Sequence, residues 1–239
     1  MDNYFILDTL FPKFCLGCQR EGSYLCEDCW ALLDIAEHNY CLCEKSPVRL
    51  PAGQKSGKCN RCSDKRLAGL YFALPYKEKH LTKKLIYQFK YQPYLKDLAK
   101  TLSAILIEHF IKTQKNTDEI WENGILIPVP IHKNKLKIRG YNQSEELAKE
   151  LAKVLQIPVI LNNLVKIRHT QSQMELSKEE RERNLKDAFE IKNPAELAGK
   201  KIFLVDDVYT SGSTMAECAG VLRKAGAKTV WGICIAREE

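Results

Sequence analysis

From residue 69 onward the hydrophobic positions fall into a series of short apolar runs separated by amphipathic stretches. Residues 69–74 (Gly-Leu-Tyr-Phe-Ala-Leu) are apolar and aromatic, stop at Pro75, and read as a strand. In residues 80–91, Leu81, Leu85, Ile86 and Phe89 form one helical face, and Lys79, Lys83, Lys84 and Lys90 fall largely elsewhere. Residues 95–112 place Leu98, Leu102, Ile105, Leu106 and His109 close to one stripe of a second helix. His109 is expected as a helix-surface or satisfied core residue rather than a ligand. The pattern then becomes β–α–β: a strand over 125–130 closed by prolines, an amphipathic helix over 142–156, and strands over 158–161 and 202–205. A helix over 214–225 and a last strand over 230–235 complete it. Strands alternating with helices predict an α/β fold, with a mostly parallel sheet covered on both faces. Cys218 and Cys234 lie on packed faces of these elements and read as small core hydrophobes.

The first part of the chain has a different character. Eight of the ten cysteines lie in residues 1–62. No apolar run is long enough for a membrane span, and the first residues lack a basic region before their apolar stretch. A cytoplasmic, reducing location with no membrane insertion is therefore expected, and close cysteine pairs read there as metal ligands rather than disulfides. Cys15-Leu-Gly-Cys18 and Cys26-Glu-Asp-Cys29 form a C-x2-C-x7-C-x2-C set. Cys41-Leu-Cys43 and Cys59-Asn-Arg-Cys62 supply four more thiols around a Pro- and Gly-containing loop. Four thiolates close the coordination shell of a zinc ion, so the expected role is structural. One ion per sequential quartet is the simplest pairing, and a cross-braced pairing is open as well. The composition break sets the expected domains: a double zinc-ribbon head over 1–66 and an α/β body over 67–239.

Charge follows the same division. The formal net charge is +7, and basic and acidic residues balance within residues 1–66, so the whole excess lies on the body. Such a balance favours phosphates, pyrophosphate or nucleic acid as ligands.

Residues 202–214, Ile-Phe-Leu-Val-Asp206-Asp207-Val-Tyr-Thr210-Ser211-Gly212-Ser213-Thr214, carry the chemistry. Four apolar residues read as a buried strand, and two carboxylates follow at its carboxyl end, where open α/β sheets bind ligands. A hydroxyl- and glycine-rich turn then enters a helix whose first N–H groups suit an anion. Gly212 allows close backbone approach. Carboxylates one short turn from a phosphate cradle suit a ribose 5-phosphate. Thr214-Met-Ala-Glu217 also fits a helix capping box, which alone would explain the helix start.

This segment resembles the PRPP-binding motif of type I phosphoribosyltransferases. Tyr209 departs from it, standing where those enzymes usually carry an aliphatic residue. Residues 10–18 (Leu-Phe-Pro-Lys-Phe-Cys-Leu-Gly-Cys), Pro128-Val-Pro-Ile-His132, Arg139-Gly-Tyr-Asn-Gln143, Arg168 with Thr170 and Gln171, and residues 181–184 occur in an order similar to the ComF/ComFC family. That resemblance covers essentially the whole chain. It implies a type I phosphoribosyltransferase-like body behind a zinc-ribbon head, and an association with DNA uptake in natural competence. It assigns Asp206 and Asp207 to the ribose as catalytic residues, Thr210, Ser211, Gly212, Ser213 and Thr214 to the 5′-phosphate, and Mg²⁺ as the companion of PRPP. Lys133, Lys135, Lys137 and Arg139 stand at the expected pyrophosphate loop, with Arg139 the favoured contact and Asn142 a helix cap. Residues 166–183 stand where that fold carries a covering hood, with Arg168, Gln171, Arg181, Arg183 and Asn184 as candidate closing contacts. Ser177-Lys-Glu-Glu180 alternatively reads as a capping box of a short surface helix.

Three functions follow, two of them favoured. One is a Mg²⁺-dependent phosphoribosyltransferase whose acceptor leaves no legible nucleobase pocket. The second is a non-catalytic competence factor that handles single-stranded DNA along residues 79–90 and 133–139 and binds PRPP as a regulatory ligand; a protein–protein adaptor whose zinc head recruits competence machinery is a third, weaker reading. In the second, Tyr87, Phe89, Tyr91 and Tyr94 are candidate stacking residues, although core packing accounts for aromatics at such spacing more often.

Overall fold

The structure, a computed structural model, describes residues 12–51, 54, 56–76, 80–115, 118–168 and 185–238. A short helix α1 (Glu27–Ala31) lies in the cysteine-rich head. The body then runs β1 (Gly69–Pro75), α2 (His80–Lys90), α3 (Leu98–Lys112), α4 (Asp118–Trp121), β2 (Gly124–Pro128), α5 (Lys133–Arg139) and α6 (Gln143–Leu155). It continues β3 (Leu164–Lys166), β4 (Phe189–Ile191), β5 (Lys201–Tyr209), α7 (Ser213–Lys224) and β6 (Thr229–Arg237).

β1, β6, β5 and β2 form one sheet in that order, every pair parallel. Crossover helices connect parallel strands, so both faces are covered and the central strands are apolar on both sides. Ile202, Phe203, Leu204 and Val205 of β5 are fully buried, as are Ile233, Cys234, Ile235 and Ala236 of β6. One face packs on α2, α3 and α6 through Leu85, Phe89, Leu102, Leu106, Leu147 and Leu151. The other packs on α7 through Met215, Cys218, Ala219 and Leu222. Each Leu, Phe or Met among these removed from water contributes about 1.5–3 kcal/mol. Cys218 and Cys234 are buried core residues as expected, and burial pushes both thiols well above their ordinary range.

The fold departs from the sequence reading in several places, among them an antiparallel pair of β3 and β4 that the reading does not include. Residues 158–161 form no strand but one parallel bridge, Leu126 to Val159, held by Leu126 N–H to Pro158 O (2.9 Å) and Ile160 N–H to Leu126 O (2.9 Å). Pro158 has no N–H to extend the ladder. The basic stretch after β2 is the helix α5 rather than a loop. His132 caps it, its Nδ1 accepting from Asn134 N–H, and Gly140 at φ 80° ends it. β5 does not stop at Val205. β2 ends with Pro128 opposite Val205, whereas β5 runs on to Tyr209 against β6. Finally, α7 does not begin with a Thr214 capping box: its N-cap is Gly212 at φ 72°, a conformation that favours glycine. Glu217 instead pairs with Arg66 (2.7 Å) and accepts from Asp187 N–H (3.3 Å).

The head packs directly on the body. Ala36 N–H donates to Ala73 O (2.8 Å), and Trp30 Nε1 donates to Glu108 (2.6 Å). His109 is a buried core residue whose Nδ1 meets Ala36 O at 2.7 Å, and burial lowers its pKa to about 4.

Candidate functional site

The extra length of β5 creates the site. Beyond Pro128 one edge of β5 has no β2 partner, and Asp206 and Asp207 occupy this stretch. The N-terminus of α6 abuts it, set there by Asn142, which caps the helix (Ser144 N–H to Oδ1, 3.1 Å) while its Nδ2 donates to Val129 O (3.0 Å). Neighbours on a strand ordinarily face opposite ways, yet the first turn of α6 reaches both acids. Ser144 Oγ donates to Asp206 Oδ1 (2.9 Å), and Gln143 Nε2 donates to Asp207 Oδ2 (3.3 Å).

The two carboxylates have different surroundings. Asp206 is partly exposed. Burial of its carboxyl, followed by the negative charge of Asp207, pushes its pKa up to about 7 against the opposing pull of Lys90, the Asp207 N–H and Ser144. Asp207 is only 2% exposed. It pairs with Lys90 of α2 at 2.9 Å and accepts from Val208 N–H at 2.8 Å. Burial acts to lower the pKa of Lys90, but the charges of Asp207 and Asp206 outweigh it and hold that pKa above its ordinary range.

Around the acids stands a group of cations. Arg139, at the end of α5, donates to Gln143 Oε1, and its guanidinium lies 6.0 Å from the Tyr91 ring centre. Lys135 is an exposed residue of α5, yet desolvation by its surroundings, then the charges of Lys90 and Arg139, push its pKa down. Burial, then Lys135, lower Lys166 at the end of β3 to about 8. An anion placed among these crowded like charges would relieve them. Thr210, Ser211 and Gly212 form the turn after β5, and Ser213 and Thr214 open α7. Ser211 and Ser213 hydroxyls meet at 2.9 Å. The first N–H groups of a helix have no partner inside it, so this turn and α7 together offer anion donors beside the acids.

Asp206, Asp207, Thr210, Ser211, Gly212, Ser213, Thr214 and Arg139 lie within the described residues around this strip, whereas Lys133 and Lys137 are exposed on α5 with no contact to the acids among the described ones. Lys90, Ser144 and Lys166 were not foreseen. Lys90 lies far from the acids in sequence, with no motif around it, whereas Gln143 belonged to the Arg139–Gln143 motif. Of the candidate hood, Arg168 is described and donates to Lys186 O at 2.9 Å. Thr170, Gln171, Arg181, Arg183, Asn184 and the 177–180 capping box lie outside the described residues, as does Lys79. Of the four candidate aromatics, Phe89 is core and Tyr94 is half-buried. Tyr87 and Tyr91 are 52% and 37% exposed, with rings 4.9 Å apart.

The Lys90–Asp207 pair supports a prediction independent of any ligand. Lys90→Met leaves a buried carboxylate without its counter-charge, which typically costs about 3–5 kcal/mol. Lys90 keeps 29% of its side chain exposed, so the low end of that range is expected in urea unfolding. Adding Asp207→Asn to Lys90→Met should recover part of the loss, because no unpaired charge then remains.

The eight head cysteines gather into two separate groups, Cys15, Cys18, Cys26 and Cys29, and Cys41, Cys43, Cys59 and Cys62. The pairing is thus sequential, not cross-braced. At Zn–S bonds of about 2.3 Å a tetrahedron sets its sulfurs about 3.8 Å apart. The contacts Cys18–Cys26 at 3.5 Å, Cys43–Cys59 at 3.5 Å and Cys59–Cys62 at 3.7 Å fit that geometry. Cys15 in the first group and Cys59 in the second are pulled toward the thiolate. Burial raises Cys15, but the N–H groups of Cys26, Cys18 and Gly17 outweigh it and bring the pKa to about 6. Burial likewise opposes Cys59, and hydrogen bonds led by Cys43 and the Arg61 backbone bring it to about 6. Burial, then bonds to the neighbouring sulfurs, push Cys29 and Cys43 up to about 12. Cys15 and Cys59 so lowered would offer a dication its first thiolate in each group, and metal binding releases the protons of the remaining ligands.

Comparison with known proteins finds two matching families. Residues 142–238 match the phosphoribosyl transferase domain, and residues 6–63 the double zinc ribbon domain. Competence protein F of Haemophilus influenzae is 38% identical over 153 residues, 62% of this chain and 66% of that protein. DNA utilization protein YhgH of Salmonella typhi is 33% identical over 193 residues, 79% of this chain and 81% of that protein. Competence protein ComFC of Bacillus subtilis is 34% identical over 104 residues, 43% of this chain and 39% of that protein. Among solved structures, the glutamine PRPP amidotransferase of B. subtilis complexed with ADP and GMP aligns with a TM-score of 0.35 and 23% identity. That alignment covers 58% of this chain and 25% of that one. The purine phosphoribosyltransferase of Pyrococcus horikoshii aligns with a TM-score of 0.32 and 20% identity, over 59% and 71% of the two chains.

Proposed function

We propose, from the premise that the chain belongs to the ComF/ComFC family, that the body (residues 67–239) binds Mg·PRPP and transfers its phosphoribosyl group. The observation that carries this reading is the continuous strip of paired acids, glycine turn and helix start on β5 and α7, faced by cations from α2, α5 and β3. The 5′-phosphate sits on the turn over Thr210, Ser211, Gly212, Ser213 and Thr214. Asp206, the accessible acid, accepts hydrogen bonds from the ribose hydroxyls. Asp207 joins it when Lys90 turns toward the pyrophosphate, where Arg139, Lys135 and Lys166 add positive charge. Hard oxygen donors beside that charge suit Mg²⁺, which on binding would neutralise part of the pyrophosphate. In the reaction the C1–O bond to pyrophosphate breaks, and its electron pair leaves with pyrophosphate. A lone pair of the acceptor forms the new bond to C1, and a proton carried on that acceptor atom leaves to the departing pyrophosphate or to water. The chain's own contribution is positioning and fixed charge at the leaving group.

Isothermal titration with Mg·PRPP tests binding, and pyrophosphate release with candidate acceptors tests transfer. No heat with Mg·PRPP at millimolar concentration would overturn the proposal.

The reading also predicts a pH dependence. An ordinary Asp titrates near 3.9, whereas Asp206 in the folded protein titrates at about 7. Between these values the folded chain holds the extra proton, so stability without ligand declines as pH rises through that window. A ribose hydroxyl needs the ionised acid. Affinity for Mg·PRPP should therefore rise by up to about tenfold per unit toward pH 7 and level off above it. Asp206→Asn should bind weakly and without that slope. An equal slope in the variant would trace the effect to the ligand's own phosphates.

A second reading, single-stranded DNA handling, is favoured by the exposed pair of Tyr87 on α2 and Tyr91 just past its end, beside exposed Lys83 and Lys84. Salt-sensitive DNA affinity that survives loss of both acids would support it.

A further inference from the structure

Tyr209 and Arg237 form a buried path between the phosphate turn and the second cysteine group. Tyr209 is 3% exposed and lies under the turn. A Cβ built on Gly212 would fall 2.8 Å from its Cε2 and nearer still to its hydroxyl. The backbone of the turn thus rests on the phenol ring. On the body's last strand, Arg237 is 1% exposed, and its guanidinium lies 5.8 Å from the Tyr209 ring centre and 5.5 Å from that of Phe72. The fork of the guanidinium donates to two main-chain carbonyls, Cys41 O at 2.8 Å and Cys43 O. Both belong to the second group. Two carbonyls so close in sequence can meet one guanidinium only while the Cys41-Leu-Cys43 segment keeps its bend. A metal held by both thiols would fix that bend, since little regular structure does so here: an isolated bridge joins Tyr40 to Arg49. The first group makes no such link among the described contacts. It packs toward α2 and α3 through Gly17 beside Leu81 and Trp30 on Glu108.

We propose that Arg237 and Tyr209 are positioning residues for the 5′-phosphate turn, and that they make its grip on a phosphomonoester depend on metal in the second cysteine group but not the first. The inference rests on the reading of this turn as a phosphate site. Loss of that metal frees the two carbonyls, leaves a buried guanidinium without its acceptors, and removes the support under Gly212.

The test uses the zinc-loaded full chain, with Arg237→Gln, Tyr209→Leu, Cys43→Ser and Cys18→Ser. Three quantities are read: amide hydrogen exchange of residues 210–214, and the affinities for ribose 5-phosphate and for inorganic pyrophosphate. Arg237→Gln, Tyr209→Leu and Cys43→Ser should each speed exchange at the turn and weaken ribose 5-phosphate by about tenfold. Pyrophosphate, held by Arg139 and the lysines, should stay within about twofold, and Cys18→Ser should leave the turn unchanged. A merely structural loss would weaken both ligands together, and that result overturns the inference. So does turn exchange that follows Cys18→Ser as strongly as Cys43→Ser. If Arg237→Gln does not fold, Arg237→Lys, which keeps the charge but loses the fork, takes its place. If wild type binds no ribose 5-phosphate yet exchange at the turn still follows Arg237 and Cys43, the phosphate reading fails and the mechanical link stands. Unmoved exchange defeats the inference whatever the wild type binds.

Discussion

Removing zinc with a strong chelator is expected to release about two equivalents from this chain and to unfold far more than the head. Structural zinc in small cysteine sites contributes apparent binding energies of about 10–16 kcal/mol at neutral pH, because the site does not exist in the unfolded chain. The head has little apolar interior of its own to replace that energy. Its buried residues Cys15, Leu25, Cys29 and Ile35 belong to the same core as β1, α2 and α3, and Cys41, Leu42 and Cys62 to the core under α7. Opening the head therefore uncovers both faces of the sheet. At about 2–4 °C per kcal/mol for a chain of this size, loss of both sites together should lower the melting temperature by tens of degrees. Calorimetry alongside metal analysis measures this, and added zinc should restore it. A melting point that moves only a few degrees with the metal demonstrably gone would show that the cysteines do not hold a structural ion.

Replacing both acids, Asp206→Asn with Asp207→Asn, should reduce affinity for Mg·PRPP by about 10²–10⁴-fold and abolish pyrophosphate release. Each carboxylate would lose a charge-assisted contact with a ribose hydroxyl, and such contacts contribute about 1.5–3 kcal/mol apiece. Folding should survive better than binding. Asn at position 206 removes a carboxyl that the fold strains to ionise, and Lys90, freed from Asp207, keeps enough exposure to be solvated. A double variant that melts near wild type and binds Mg·PRPP within about twofold of it would sink the ligand assignment.

The outcome at particular residues shows what could be read from the chain alone. The two cysteine quartets, the parallel α/β sheet, the Asn142 cap and the Asp206–Thr214 strip were all legible, because each rests on local spacing. Metal ligands sit on short turns, strands and helices have fixed periods, and a glycine turn between strand and helix leaves a signature within a few residues. Residues 158–161 looked like a strand by composition, yet they pair at one position only, because pairing depends on a neighbour as well as on apolar content. The basic run over 133–139 was expected as a loop and forms α5, capped by His132 and ended by Gly140. What only the tertiary structure decided are the meetings of residues distant in sequence. Lys90 against Asp207, Ser144 against Asp206, and Arg237 against the Cys41 and Cys43 carbonyls are all of this kind. Local pattern carries no record of these contacts, because chain closure over many residues is set by how whole elements pack. That Asp206 stays partly exposed while Asp207 is sealed, and that the Asp206 carboxyl is pushed up, arises from that packing.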